Sequence, residues 1–248
     1  MRHHSVYSYR AKIGLLTPAT NTVNEAEWTR LLPEGVTCHS HRIDMNADAH
    51  DSEPLLDQIT RSAGILARAD VDVVAYACTA GSMVTPADSL PQAASDRLGR
   101  PVLTTAAAIV AALRHLGVRR VSIATPYHQA LNDHEVAFLA AHGVTTLAIE
   151  GLGLGANGPV DFPRIARTPL PEVEALAHRV HRPEAEALLL TCTDFPTLPL
   201  IAPLEAALGI PVVSSNTATL WAALRRAGIG DPLAGAGRLL AQPQTPHP

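Results

Sequence analysis

The 248-residue sequence predicts an α/β fold of two pseudo-symmetric lobes, each a mostly parallel sheet flanked by helices, with an active site in the cleft between them. Three observations carry this expectation. Blocks of sequence recur in the same order roughly half a chain apart. Apolar runs alternate with segments of helical periodicity in both halves. Two cysteines at matched positions each follow a buried-looking apolar run.

The repeat is read from five blocks. Thr17-Pro18 recurs as Thr125-Pro126, and Gly35-Val36-Thr37 as Gly143-Val144-Thr145. Asp70 and Asp72, an apolar run and Cys78-Thr79 recur as Glu184 and Glu186, an apolar run and Cys192-Thr193. Pro101-Val102 after Gly99 recurs as Pro211-Val212 after Gly209. Ala111 to Arg114 before Gly117 recurs as Ala222 to Arg225 before Gly228. A period this long does not suit a solenoid and implies two similar lobes.

The elements follow in order. Lys12 to Thr17 is a short apolar run stopped by Pro18, a strand. Asn24 to Leu32 is polar enough for a surface helix, and Pro33 to Gly35 ends it. Val36 to Ile43 alternates like a strand. Glu53 to Ala69 places Leu55, Leu56, Ile59, Ala63, Leu66 and Ala67 at helical spacing. Val71 to Ala77, apolar but for Asp72, reads as a strand buried on both faces. Thr104 to Leu116 is an apolar helix ended by Gly117, and Val121 to Thr125 is the next strand. The second half repeats the pattern, with Ala187 to Thr191 as the strand before Cys192. Alternating strands and helices imply parallel sheets with right-handed crossovers. Gly151 to Gly155 reads as a loop, and Gln242 to Pro248 and the His3-His4 end as frayed.

Composition narrows the partners. Hydrophobic residues make up 47 % and charged residues 17 %, which excludes intrinsic disorder and a coiled coil. The net charge is −4 and the basic residues are scattered, so no nucleic-acid surface is expected. No apolar run is long enough for a membrane span. Met1 to Arg10 lacks the apolar core of a signal peptide, so a cytoplasmic protein with reduced thiols is expected. Lys12 is the only lysine, which leaves Schiff-base chemistry no later candidate.

Cys78 and Cys192 fall where open α/β sheets place their ligands, at the carboxyl ends of strands. Small residues follow each: Thr79, Ala80, Gly81 and Ser82 after the first, Thr193 and Asp194 after the second. They let backbone N–H groups approach a bound carboxylate and lower a thiol pKa. A lone cysteine in an apolar strand is usually core, but two at matched repeat positions point to function. Cys38 faces Thr146 across the repeat and is read as packing. Asn21 offers an amide at a strand end, and Tyr127 a phenol in the equivalent loop of the second half. Asn216 is read as a helix cap. His39 and His41, with His50 and Asp51 nearby, make a metal site conceivable, but no third ligand is fixed, so no metal is expected. No dinucleotide fingerprint or nucleophile elbow is present, and no cofactor is expected.

Thr17-Pro18-Ala19-Thr20-Asn21-Thr22, Tyr76-Ala77-Cys78-Thr79-Ala80-Gly81-Ser82, Thr191-Cys192-Thr193 and Ser214 to Trp221 resemble the Asp/Glu racemase superfamily, most of all its maleate cis–trans isomerase branch. The resemblance spans nearly the whole chain. It implies cofactor-free chemistry on a small carboxylate, with Cys78 as thiolate nucleophile forming a succinyl-cysteine-like adduct and Cys192 moving the proton. It implies substrate contacts from Asn21, Tyr127, Asn157, Thr79, Ala80, Thr193 and Asp194. It also implies a homodimer or higher homo-oligomer, and lobes of 1–103 plus 213–248 and of 104–212. A two-cysteine racemase of an amino acid, hydantoin or N-acyl amino acid is the alternative, with Asp194 as partner for an ammonium group. The decarboxylases of the superfamily keep only the second cysteine, so Cys78 speaks against that branch. A binding module without turnover is the remaining reading.

Overall fold

The computed structural model describes residues 3–44 and 52–241. The chain begins with β1 (Ala11–Pro18), α1 (Asn24–Leu31), β2 (Val36–Ile43), α2 (Ser52–Ala67) and β3 (Val73–Tyr76). Then come α3 (Thr79–Ser82), α4 (Ser89–Leu98) and β4 (Val102–Thr104). A crossing helix, α5 (Thr105–His115), leads to β5 (Arg120–Tyr127), α6 (Gln129–Ala141) and β6 (Thr145–Leu154). The second half continues with α7 (Phe162–Ile165), α8 (Leu170–Val180), β7 (Ala187–Leu190), α9 (Leu198–Leu208) and β8 (Val212–Ser214). Two helices close the chain, α10 (Ser215–Arg226) and α11 (Arg238–Ala241).

Two four-stranded parallel sheets result, with orders β2-β1-β3-β4 and β6-β5-β7-β8. They are the same sheet written twice. The likeness reaches single hydrogen bonds. Asp72 Oδ2 accepts the Lys12 N–H at 2.8 Å, and Glu186 Oε2 accepts the Arg120 N–H at 3.0 Å. Each acid sits just before its central strand and ties it to the start of the neighbouring one. Gly99 and Gly209 both close their helices in the left-handed conformation, which a side chain would strain.

The inner faces of both sheets share one core. Ile13, Leu15, Val73 and Ala75 of the first pack with Val121, Ile123, Leu189 and Val213 of the second, around α5 and α10. Each lobe has its own outer core, with Ile59 and Tyr76 in one and Leu176, Leu188 and Ile201 in the other. Cys38 packs against the shared core as expected, and burial pushes its thiol up to about 12. The division into 1–103 plus 213–248 and 104–212 is kept as our proposal. It is supported by α10, which follows β8 yet packs on β3 and α1.

Three expectations need correction, and two strands were not expected. Gly151 to Leu154 is strand, because β5 runs on to Tyr127 and β6 stays paired with it across an irregular register. Gly151 is required there: a Cβ would meet the Tyr127 carbonyl and the Thr125 hydroxyl. The three-residue strands β4 and β8 are too short to show a period in sequence. His3 is anchored, with Nε2 2.9 Å from Asp72 Oδ2. Asn216 is not a cap; Ser214 caps α10 through a reciprocal box with Thr217. Residues 242–248, His50 and Asp51 lie outside the described residues.

Candidate active site

Both cysteines stand at carboxyl ends of central strands, Cys78 after β3 and Cys192 after β7. Cys78 is half-buried and caps the short α3, with Sγ accepting the Gly81 N–H at 3.4 Å. The fully buried Tyr76 adds its phenol as a second donor. Burial pushes the Cys78 thiol up, and these two donors hold it back.

Cys192 is buried and carries a φ of 111°, a strained value for a residue with a Cβ. Its N–H donates to Ser215 Oγ at 3.0 Å. Its sulfur accepts from the Asp194 N–H and the Tyr127 phenol. Burial pushes this thiol up to about 12, and the charges of Asp194 and Cys78 push the same way. The two thiols therefore lie within electrostatic reach. Each has a phenol and a backbone N–H, but the phenols come from different places. Tyr76 precedes Cys78 on its own strand, whereas Tyr127 ends the strand beside Cys192.

The two loops are stitched across the lobes. Thr79 Oγ1 and Ser215 Oγ are 2.8 Å apart, and Ser215 also holds the Cys192 backbone. Thr193 Oγ1 donates to the Ala77 carbonyl at 3.0 Å and accepts from Asn21 Nδ2 at 3.1 Å. Asp194 Oδ1 takes the Thr22 and Val23 N–H groups at 2.8 and 3.3 Å. Burial moves that carboxyl up to about 6. Asn21 Oδ1 receives the Val23 and Asn24 N–H groups at the start of α1.

A family model described as arylmalonate decarboxylase matches residues 13–240. The chain belongs to that family. It is 32 % identical to a maleate isomerase of Nocardia farcinica, over 93 % of this chain and 96 % of that one. It is 30 % identical to the arylmalonate decarboxylase of Bordetella bronchiseptica, over 88 % and 91 %. The fold matches a Nocardia farcinica maleate cis–trans isomerase variant holding a covalently bound succinylcysteine intermediate. That match has a TM-score of 0.84 and 29 % identity, and covers 94 % of this chain and 99 % of that one.

Within this family frame, Cys78, Cys192, Asn21, Tyr127, Thr79, Thr193 and Asp194 come together in one network. Ala80 is half-buried and touches the shared core and the second lobe's core. Asn157 stands apart: it is exposed, and its Nδ2 donates to Asp161 Oδ2 at 3.0 Å in the loop after β6. His39 bonds to the Thr37 hydroxyl on the edge strand β2. Among the described residues no group of three could hold a metal ion.

Glu27 was not foreseen. It is buried, and its carboxylate accepts from the Thr197 N–H (2.7 Å), the Leu198 N–H (2.8 Å) and Asn216 Nδ2 (2.7 Å). Asn216 in turn accepts from Asn24 Nδ2 and donates to the Thr193 carbonyl. This acid on α1 thus anchors the loop that follows Cys192 to the opposite lobe. Glu27→Ala strands three donors, two buried and one part-buried, and is expected to cost about 3 kcal/mol or more. Glu27→Gln, which keeps one acceptor, should cost less. Urea unfolding midpoints of the two variants check this order.

Proposed function

We propose that the protein is a cofactor-independent isomerase of a small dicarboxylate, converting maleate to fumarate through Cys78 and Cys192. The observation that carries the reading is the pair of differently equipped thiols, within electrostatic reach of each other where the lobes meet, in a family whose relatives include maleate isomerases. Cys78 has the helix-start N–H and serves as nucleophile. Its thiolate adds to one alkene carbon, and the electron pair of the double bond moves onto the neighbouring carboxylate-bearing carbon. Cys192 is held as a thiol and gives that carbon its proton. The former double bond is then single and turns. Cys192 takes a proton back, the C–S bond breaks, and the trans alkene leaves with Cys78 again a thiolate.

Neutral donors suit such a substrate. Asn21, Tyr127, Thr79 and the backbone around Ala80 and Thr193 are assigned to the two carboxylates, with Asn157 as a further candidate from its loop. Asp194 favours the isomerase over an amino-acid racemase. Its carboxylate is engaged by the N–H groups that open α1 and is a poor partner for a substrate ammonium.

The test is reduced protein with maleate in deuterated buffer, without added metal, followed by proton NMR. Fumarate is expected, and no fumarate over hours overturns the reading. The pH dependence has a definite sign. A thiol raised by burial is mostly protonated at neutral pH, so the reactive fraction grows with pH. The kcat/KM for maleate should rise by up to about tenfold per unit from about pH 6 to about pH 8.5. A plateau below pH 7 would contradict Cys78 as the titrating nucleophile.

No helix among the described residues is long and apolar enough to cross a membrane. A cytoplasmic location is proposed with support from the three free thiols. A homo-oligomer is proposed from the family resemblance, and light scattering checks it.

A further inference from the structure

The repeat holds a second buried acid. Thr125-Pro126 is followed by Asn132 and Glu135 at the spacing by which Thr17-Pro18 is followed by Asn24 and Glu27. Glu27 uses its carboxylate to grip the loop after Cys192. On α6 and at its C-terminal end that task falls to other groups: His134 Nε2 lies 3.1 Å from the Met83 carbonyl, and His142, just after α6, accepts the Ala87 N–H through Nε2 at 3.0 Å. Both hold the loop after Cys78. Glu135 is therefore released from gripping, yet it is just as buried.

What Glu135 touches is the other half of the site. Its Oε2 accepts the Thr191 hydroxyl at 3.1 Å, and Thr191 directly precedes the strained Cys192. Its charge acts on the buried Tyr127 phenol, which donates to the Cys192 sulfur. Asn132, one turn earlier on α6, accepts the Thr125 hydroxyl at 2.7 Å, and Thr125 accepts the Tyr127 N–H. One face of α6 thus holds the ends of β5 and β7 together. A buried carboxyl is costly to keep, and Gln or Leu would fill the same space. Burial also raises Glu135, to about 7, so the group is poised between two charge states around neutrality.

We propose that Glu135 is a positioning residue for Cys192: it fixes the strained Cys192 backbone through Thr191 and, beside Tyr127, keeps the phenol hydrogen on the sulfur. The kinetic part rests on the isomerase reading, whereas the thiol part does not.

The experiment compares Glu135→Ala, Glu135→Gln, Thr191→Val and the Glu135→Ala/Thr191→Val double variant. Iodoacetamide labelling of Cys78 and Cys192 is followed peptide by peptide, together with kcat and KM for maleate. Glu135→Ala and Thr191→Val should each change the Cys192 labelling rate at least about threefold and leave Cys78 within about twofold. Each should lower kcat about tenfold or more with KM nearly constant, and the double variant should be no worse than the worse single one. Glu135→Gln, which can still accept the Thr191 hydroxyl, should recover most of kcat. Equal labelling changes at both cysteines, or none at either, overturn the proposal. Additive losses in the double variant overturn it too. If Glu135→Ala does not fold, Thr191→Val and Glu135→Gln decide alone. Wild-type protein inert toward maleate would sink the isomerase reading and leave the labelling test standing.

Discussion

Cys78→Ala is expected to lower maleate turnover by about a thousandfold or more, to the background of the uncatalysed reaction under the same conditions. Nothing else in the site can replace the sulfur. Cys192 is the more deeply buried thiol, pushed up to about 12, and its donors hold it in place as an acid. The hydroxyls of Thr79 and Ser215 are bonded to each other, and an alcohol is a far weaker nucleophile than a thiolate at neutral pH. Cys78→Ser should fail for the same reason. The fold should survive both changes: the half-buried side chain is small, and the chain continues directly into α3. Melting temperature and near-UV circular dichroism check the fold, and proton NMR checks turnover. A Cys78→Ala protein that still makes fumarate at more than a few per cent of the wild-type rate would rule out covalent addition at Cys78. It would leave Cys192 as a lone acid–base group, the arrangement the decarboxylases of the superfamily are expected to have.

The duplication was the most legible feature because the same physics acts twice on each block. Acids before the central strands, glycines after the helices and cysteines after the strands recur with their contacts. Apolar runs such as Val73 to Ala77 could be read because both faces of a central strand are buried. The misreading of the polar helix face has its own cause. Periodicity sends polar residues to solvent, and here part of one lobe's polar helix face is turned toward the other lobe. Asn24 and Glu27 made α1 look like a surface helix, yet both are buried, and so are Asn132 and Glu135 on α6. Their signal was present as Asn and Glu three residues apart at the same distance after each Thr-Pro. It was missed because charged helix residues are usually solvated. Asn216 sits where a cap is plausible, but Ser214 takes that role and frees the amide to join the lobes. Tyr76 lies in the motif around Cys78, but a tyrosine in an apolar run ordinarily reads as packing, so its role as a donor does not show in sequence.

Cys192→Ser is expected to separate the two halves of the reaction. The serine keeps the shape of the residue, the N–H bond to Ser215 and the strained backbone, while its hydroxyl is a much poorer proton carrier. Cys78 can still add to maleate, and the carbon that receives the electron pair can be protonated slowly by water. The return step suffers more, because removing that proton needs a base and an alcohol supplies none near neutral pH. The adduct should then build up. Turnover should fall by about a hundredfold or more, and the intact protein should gain the mass of one maleic acid per chain, mapped to the peptide containing Cys78. Cys78→Ala/Cys192→Ser should gain nothing, which fixes the sulfur that carries the adduct. The order of loss is informative in itself. If Cys192→Ser turned over as fast as the wild type, the proton would come from elsewhere, and Tyr127, already donating to that sulfur, would be the first group to test. If the variant were inactive and carried no adduct, addition itself would need the Cys192 proton. Nucleophile and acid would then act in one concerted step rather than two.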